Sequence, residues 1–210
     1  MIKQTDYEGG SSMSTITARL FETLHGTWVL HRSLQSANAA EPSGRCTGKA
    51  TFTRRQPSPV IDDSGKLQLA DDELLYHEQG EFELTPSISN QDANFPKFPF
   101  SRKYIWRLQR TEGVHKISVW FTKPGTNEID YLFHNVDIAP FGEDVSTQSH
   151  DIALHGSGGH VCVHDFYSSL YTFNVTPKSP ESITLTSWSM THEVRGPKKD
   201  QTIETTFTRT

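Results

Sequence analysis

The sequence predicts an all-β fold: a single antiparallel barrel of the calycin or lipocalin type, with about eight to ten strands and a short N-terminal helix. Ten segments have strand-like composition, and turn signals such as Glu112-Gly113 and Pro124-Gly125 separate them. No second amphipathic helix and no repeat of fixed period is visible. Closing the sheet removes its exposed edges, which favours a barrel, and a two-sheet sandwich is the alternative.

Composition excludes several classes of function. The 210 residues carry a formal net charge of −5, and no basic stripe suggests nucleic acid or an anionic membrane as partner. No apolar run approaches the roughly 20 residues of a membrane span. Residues 1–12 lack the apolar stretch of a secretory signal, and Cys46 and Cys162 make no disulfide framework. We expect a cytoplasmic protein without a nucleic-acid or membrane partner.

The elements follow one another in a simple order. Residues 1–13 are predicted to be a flexible leader, and residues 14–210 the barrel domain. The helix is expected from Ser14 to Leu24, because apolar residues recur there at helical spacing and His25-Gly26 ends it. The ten strands are predicted near residues 26–34, 47–54, 73–85, 102–111, 114–123, 128–138, 160–165, 167–176, 182–194 and 200–209.

Two long stretches between strands are expected to be irregular. Residues 86–101 contain three phenylalanines, so we interpret them as a lid that packs onto the barrel. Residues 139–159 end in Gly156-Ser157-Gly158-Gly159, which we expect to be a turn. No Gly-Lys-Ser/Thr follows these glycines, so the segment is not a phosphate loop. Residues 56–72 are polar and are expected to form a hairpin excursion.

Four predicted strands place one charged or titratable side chain on an otherwise apolar face. Alternation assigns Arg32, Glu78, Arg102 and His134 to these faces. A buried ion without a partner costs several kcal/mol, so these groups must meet one another, water or a ligand. Two arginines and one carboxylate leave a positive charge that a bound anion would balance. The alternative is a purely structural Arg–Glu–Arg network.

The same faces supply a candidate catalytic set and candidate ligand contacts. Glu78 or His134 would move a proton, while Arg32, Arg102 and Tyr104 would stabilise a developing oxyanion. The cavity would also hold a flexible substrate in a reactive shape. The expected ligand contacts are Tyr76, Phe82, Trp28, Trp106, His160, Cys162, Asp165, Tyr167, Trp188 and Lys198.

A metal site is considered at His160-x-Cys162-x-His164 and disfavoured. Alternate residues of a strand lie about 7 Å apart, so three of them reach one zinc ion with difficulty. A nucleophilic pair of Cys162 with His134 or His160 is a further reading. Asp165 either orients one of these histidines or is an ordinary turn residue. We expect no metal and no cofactor.

The chain resembles known β-barrels in several motifs. A short helix followed by Gly26-x-Trp28 is similar to the opening of lipocalins and other calycins, and that resemblance implies a tryptophan plug covered by Arg195 or Arg209. The chain also resembles an uncharacterised family of small calycin-like domains of fungi and bacteria, sometimes fused to flavin-dependent oxidoreductases. The motifs are Leu24-His25-Gly26-Thr27-Trp28, Tyr76-x-Glu78-x-Gly80, Arg102-x-Tyr104-x-Trp106, Phe133-His134, His160-x-Cys162-x-x-Asp165-x-Tyr167, and Trp188 followed by Gly196-Pro197-Lys198-Lys199-Asp200.

The predicted function is handling a small, partly hydrophobic organic molecule in the barrel cavity. Cofactor-independent isomerisation, cyclisation or dehydration in specialised metabolism is the leading hypothesis. A non-catalytic intracellular carrier or sensor is the rival. The fusions seen in the resembling family add an accessory module of a flavin oxidoreductase as a third reading, and a homodimer is left open.

Overall fold

The computed structural model describes residues 9–38, 40–61, 65–85, 96–139, 151–179, 182–197 and 199–210. Within them the chain forms one helix and twelve strands. These are α1 (Gly9–Thr23), β1 (Gly26–Ser36), β2 (Gly44–Arg55), β3 (Val60–Ile61), β4 (Leu67–Gln68), β5 (Asp72–Leu84), β6 (Lys97–Thr111), β7 (Val114–Thr122), β8 (Ile129–Ile138), β9 (Ile152–Cys162), β10 (Asp165–Ser179), β11 (Ser182–Arg195) and β12 (Asp200–Arg209).

Ten strands close into an antiparallel barrel, as predicted. Their order around the ring is β1, β12, β11, β10, β9, β8, β7, β6, β5 and β2. The first and last strands meet along their length, from Trp28 opposite Arg209 to Ser36 opposite Gln201. Every barrel strand is overlapped by a predicted strand, but the strand predicted at residues 160–165 covers the end of β9, a two-residue turn and the first residue of β10. The two remaining strands, β3 and β4, pair with each other in the predicted excursion.

The helix begins at Gly9, five residues before the predicted start at Ser14. Its first turn is built from glycine and serine and carries no apolar periodicity, so the sequence pattern could not reveal it. Among the described residues, no helix is long and apolar enough to cross a membrane. The boundary between leader and barrel domain stays a prediction.

Strand β9 corrects the expected turn at Gly156-Ser157-Gly158-Gly159. The strand runs from Ile152 to Cys162, so the glycines lie within it. A Cβ on Gly158 would lie 2.4 Å from the Asn135 carbonyl oxygen and 2.5 Å from Cδ2 of His134. Glycine is therefore present because strand β8 approaches closely, and no reversal of the chain is involved.

Each of the two stretches predicted to be irregular includes residues that belong to a strand. Residues 97–101 belong to β6 and residues 152–159 to β9. The rest of the predicted lid, residues 86–95, lies outside the described part of the chain. Residues 140–150 of the second stretch also lie outside it.

Helix α1 covers one end of the barrel, which we call the closed end. Its Leu20 and Phe21 are fully buried, and Trp28 Nε1 donates a hydrogen bond of 2.9 Å to the Leu24 carbonyl oxygen. The Arg209 guanidinium lies 3.9 Å from the centre of the Trp28 ring. The resemblance to calycins left Arg195 and Arg209 open for this position, and Arg209 occupies it.

A buried ion pair lies on the outer side of the barrel wall. Glu73 and Arg107 are both fully buried, with Arg107 Nε 3.1 Å from Glu73 Oε2. Arg55 Nε approaches Glu73 Oε1 at 3.0 Å, and Arg107 Nη2 donates to the Ser58 carbonyl oxygen at 2.8 Å. These contacts hold the segment between β2 and β5 against the outer wall of the barrel.

Candidate functional site

The barrel encloses a cavity of about 160 Å³ beyond the aromatic layer at its closed end. The base of the cavity is formed by Trp106 and Trp188, whose ring centres lie 6.1 Å apart. Trp188 stacks on Phe207 with 3.7 Å between ring centres. The cavity reaches solvent beside Arg102 and Cys162, which line it and are exposed. We call this opening the mouth.

Arg32 and Glu78 form a bidentate ion pair in the cavity wall. Arg32 Nη1 and Nη2 donate to the two Glu78 carboxylate oxygens at 2.8 and 2.7 Å, and Tyr76 donates to Oε2 at 2.5 Å. Burial alone would raise the pKa of Glu78, but the Arg32 guanidinium outweighs it and holds the pKa below its usual value. Glu78 is therefore an engaged carboxylate anion.

Arg102 supplies a second guanidinium to the same cavity. It lies on β6 opposite Glu78 of β5 in the strand register. No carboxylate in the described part of the chain forms an ion pair with it. Since Glu78 balances Arg32, these three side chains leave an excess of one positive charge. Tyr104, two residues further along β6, lines the cavity next to it, and burial raises the pKa of this phenol.

His134 faces the barrel interior, as alternation predicted, but it is not one of the residues that line the cavity. Val119 pairs with His134 and Trp120 with Leu132, so Phe133 is the extra residue of a β-bulge. The bulge places Phe133 in the cavity lining. His134, the partner of the lining residue Val119, is buried beside Phe133, and its Nε2 lies 2.7 Å from the Tyr171 hydroxyl. Burial, reinforced by neighbouring histidines, lowers the pKa of His134 to about 3.

His192 is a cavity residue that the sequence reasoning missed. It lies on β11, and its Nδ1 is 2.8 Å from the hydroxyl of Ser169, which is fully buried. Burial, with a further contribution from the positive charge of Arg32, lowers the pKa of His192 to about 4. The alternation Trp188, Met190, His192 within the predicted strand was a signal that could have identified it. The other lining residues that were missed are Val119, Phe121, Phe133, Tyr171, Met190 and Ile203.

Some of the residues predicted to contact a ligand line the cavity, and others lie elsewhere. Tyr76, Trp106, His160, Cys162, Tyr167 and Trp188 line the cavity with Arg32, Glu78, Arg102 and Tyr104. Trp28 is buried at the closed end, and Phe82 is half-buried outside the lining. Lys198 lies outside the described residues, whereas its neighbour Lys199 donates to the Tyr167 hydroxyl at 3.1 Å.

The segment considered for zinc does not remain on one strand face. Strand β9 ends at Cys162, and His164 lies in the turn before β10. Asp165, at the start of β10, is buried against Gly196, where an added Cβ would lie 2.1 Å from its Oδ1. Asp165 is thus a packing neighbour of the β11–β12 turn and not a lining residue.

Comparison with known proteins supports the fold and gives a family. The structure of the S-type phycobiliprotein lyase CPES from Guillardia theta is similar, with a TM-score of 0.51, 10% sequence identity and 98% of each chain covered. At this identity the likeness is one of fold. No curated protein sequence matches the chain. Residues 24–209 match a family of unknown function, DUF6314, and because the match spans most of the sequence, the chain belongs to that family.

Proposed function

We propose that the barrel binds a small anionic organic molecule with an apolar or aromatic body. The single observation that carries the proposal is the excess positive charge of Arg102 in a cavity whose other charged pair, Arg32 and Glu78, is internally balanced. An anion bound beside Arg102 would pair with this cation at the mouth of the cavity through charge-assisted hydrogen bonds. Tyrosine, tryptophan and phenylalanine side chains supply the apolar contacts.

The size of the cavity limits the guest. Its volume is about 160 Å³, and an apolar cavity of about 150 Å³ accepts a benzene ring. One ring or a short branched chain therefore fits inside, with the remainder of a longer molecule at the mouth.

The Arg32–Glu78 pair is better suited to shaping the cavity than to transferring protons. Glu78 accepts three hydrogen bonds, and its pKa is lowered, so a general-base role would require breaking that network. We infer that the pair fixes the wall against which the ligand lies. This replaces the hypothesis that Glu78 moves a proton.

The experiment compares benzoate with benzamide by isothermal titration calorimetry. The two probes share size and ring, so only the anion should benefit from Arg102. Arg102→Gln should weaken benzoate binding by about tenfold to a hundredfold. Lys103→Gln is the matched control, because Lys103 is the next residue of β6 and instead contacts Asn127. Equal affinity for the two probes in the wild-type protein would contradict the proposal.

Cofactor-independent isomerisation, cyclisation or dehydration of the bound molecule is the second candidate function. The observation that favours it is an uncharged imidazole, His192, in the same cavity as the Arg102 cation, which could stabilise a developing oxyanion. Incubation with candidate metabolites and mass spectrometry with chromatographic separation of isomers distinguishes an enzyme from a carrier or sensor. Binding without conversion would favour the carrier. The flavoenzyme partner, the homodimer and the cytoplasmic location stay predictions.

A further inference from the structure

Two polar side-chain pairs lie on the cavity wall formed by β8, β10 and β11. Ser169 contacts His192 Nδ1, and His134 Nε2 contacts the Tyr171 hydroxyl. In each pair one partner is buried, and the other, His192 or Tyr171, lines the cavity. The direction of each hydrogen bond determines whether the cavity-lining side chain presents a hydrogen-bond donor or an acceptor to a ligand.

The Ser169 hydroxyl donates to His192. Ser169 is fully buried, and in the described part of the chain its side chain has His192 as its only hydrogen-bond partner. If the imidazole were the donor, the hydroxyl proton would be buried without an acceptor, which costs about 1–3 kcal/mol. With the hydroxyl as donor, Nδ1 accepts and the proton of the neutral imidazole is on Nε2. His192 then offers an N–H group to the cavity.

For His134 and Tyr171, either direction leaves one donor without a partner among the described residues, and of the two only the Tyr171 hydroxyl belongs to a side chain that lines the cavity, where a ligand can accept the proton. Nδ1 of His134 is buried and has no hydrogen-bond partner among the described residues. A proton there would be a buried, unsatisfied N–H, which is rarer in proteins than an unsatisfied acceptor. The proton is therefore on Nε2 and is donated to the Tyr171 oxygen. The Tyr171 hydroxyl proton then remains available to the cavity.

These two donors lie across the barrel from Arg102. In the ring of ten strands, β6 carries Arg102, and β11, five positions away, carries His192; Tyr171 is on the adjacent β10. The cavity thus has a cation on one wall and neutral N–H and O–H donors on the opposite wall. We propose that the ligand is an oxo-carboxylate whose carboxylate binds Arg102 and whose ketone oxygen accepts hydrogen bonds from His192 and Tyr171, an inference that rests on the proposed function.

The first test needs no ligand. Long-range ¹H–¹⁵N correlation spectra of the ¹⁵N-labelled protein at neutral pH report which nitrogen of each histidine carries the proton. We expect the Nε2–H tautomer for His192 and His134, with resonances assigned from His192→Gln and His134→Gln. Ser169→Ala should shift His192 toward a tautomer mixture. A wild-type His192 in the Nδ1–H tautomer would overturn the inference, whatever the ligand proves to be.

The second test compares 4-acetylbenzoate with 4-isopropylbenzoate, which have the same carboxylate and nearly the same shape and differ in the ketone. The wild-type protein should bind the ketone about tenfold more tightly. His192→Phe and Tyr171→Phe should each bring this ratio close to one. Arg102→Gln should weaken both probes.

The outcomes separate the two proposals. Equal affinity for the two probes, both dependent on Arg102, would overturn the oxo-carboxylate inference and leave anion binding intact. If Arg102→Gln left the affinity for both probes unchanged, the proposal that the cavity binds an anion would itself be wrong. Folding of each variant is checked by the dispersion of its amide NMR spectrum.

Discussion

At the residue scale, Glu78 connects two neighbours through its carboxylate. It is 1% exposed, between Arg32 and Tyr76. Transferring two charges from water into the barrel costs desolvation free energy, and their mutual attraction in good geometry offsets much of it. Such a pair therefore contributes modestly to stability when complete and strongly destabilises the fold when one partner is missing.

We predict that Glu78→Gln lowers the free energy of unfolding by about 3–5 kcal/mol, because it leaves the Arg32 guanidinium buried without a counter-ion. The double variant Arg32→Met/Glu78→Leu should lose much less. Urea denaturation measures both.

Glu81 provides the control for this prediction. It lies on the same strand and approaches Lys97 at 3.5 Å with both side chains mostly exposed. Glu81→Gln should change the free energy of unfolding by no more than about 1 kcal/mol. A Glu78→Gln protein as stable as Glu81→Gln would show that the buried pair is not needed for the fold.

Strand alternation was sufficient to predict some site residues and insufficient for others. Arg32, Glu78 and Arg102 lie on regular strands, so their inward direction followed from period two. The inward direction of His134 followed from alternation as well, whereas Phe133, the extra residue of the bulge, lines the cavity against the alternation of its strand. The buried Glu73–Arg107 pair could not be predicted, because it depends on which loop covers the outer wall.

At the scale of elements, β9 depends on how closely β8 approaches it. Gly158 lies against the backbone of Asn135 and the ring of His134, whereas a Cβ on Gly159 would have the Phe166 ring edge as its nearest contact, at 3.2 Å. The ring can shift slightly, but backbone cannot yield without disturbing the strand pair.

We predict that Gly158→Ala destabilises the protein by about 1–3 kcal/mol, because overpacking forces β8 and β9 apart. Gly159→Ala is the matched control and should cost clearly less. Thermal unfolding followed by circular dichroism compares the two variants. Similar melting temperatures for both would contradict the close approach of β8 to Gly158.

The strands were more predictable than the segments between them. Alternating apolar residues identified all ten barrel strands, since this pattern reports a half-buried face. Residues 152–159, the larger part of β9, were missed because glycines also occur in turns, and sequence alone does not distinguish close packing from chain reversal. The pair β3–β4 has two residues in each strand, too few for a periodic signal.

At the scale of the whole molecule, buried histidines make stability depend on pH. The pKa values of His134 and His192 are lowered to about 3 and about 4, chiefly by burial. In the unfolded chain, the pKa of histidine is about 6.5. As the pH falls below that value, the unfolded chain binds protons that the folded protein does not, so the free energy of unfolding decreases until the folded pKa values are reached.

We predict that the free energy of unfolding falls by about 4 kcal/mol between about pH 7 and about pH 5. Urea denaturation at each pH measures it. His192→Phe should remove roughly half of this dependence. His31→Gln, at an exposed position on the outer face of β1, should leave it unchanged. A stability that is flat over this interval would contradict the burial of neutral imidazoles.

The pairing of β1 with β12 has a consequence for biosynthesis. While a ribosome is still translating, β1 has its β2 neighbour but lacks a partner on its other side until residues 200–209 emerge. Until then the nascent sheet carries unsatisfied backbone groups that invite pairing with other chains. Premature termination anywhere before this segment should therefore yield fragments that aggregate. Chaperones that bind unfolded chains should remain bound until β12 has paired with β1.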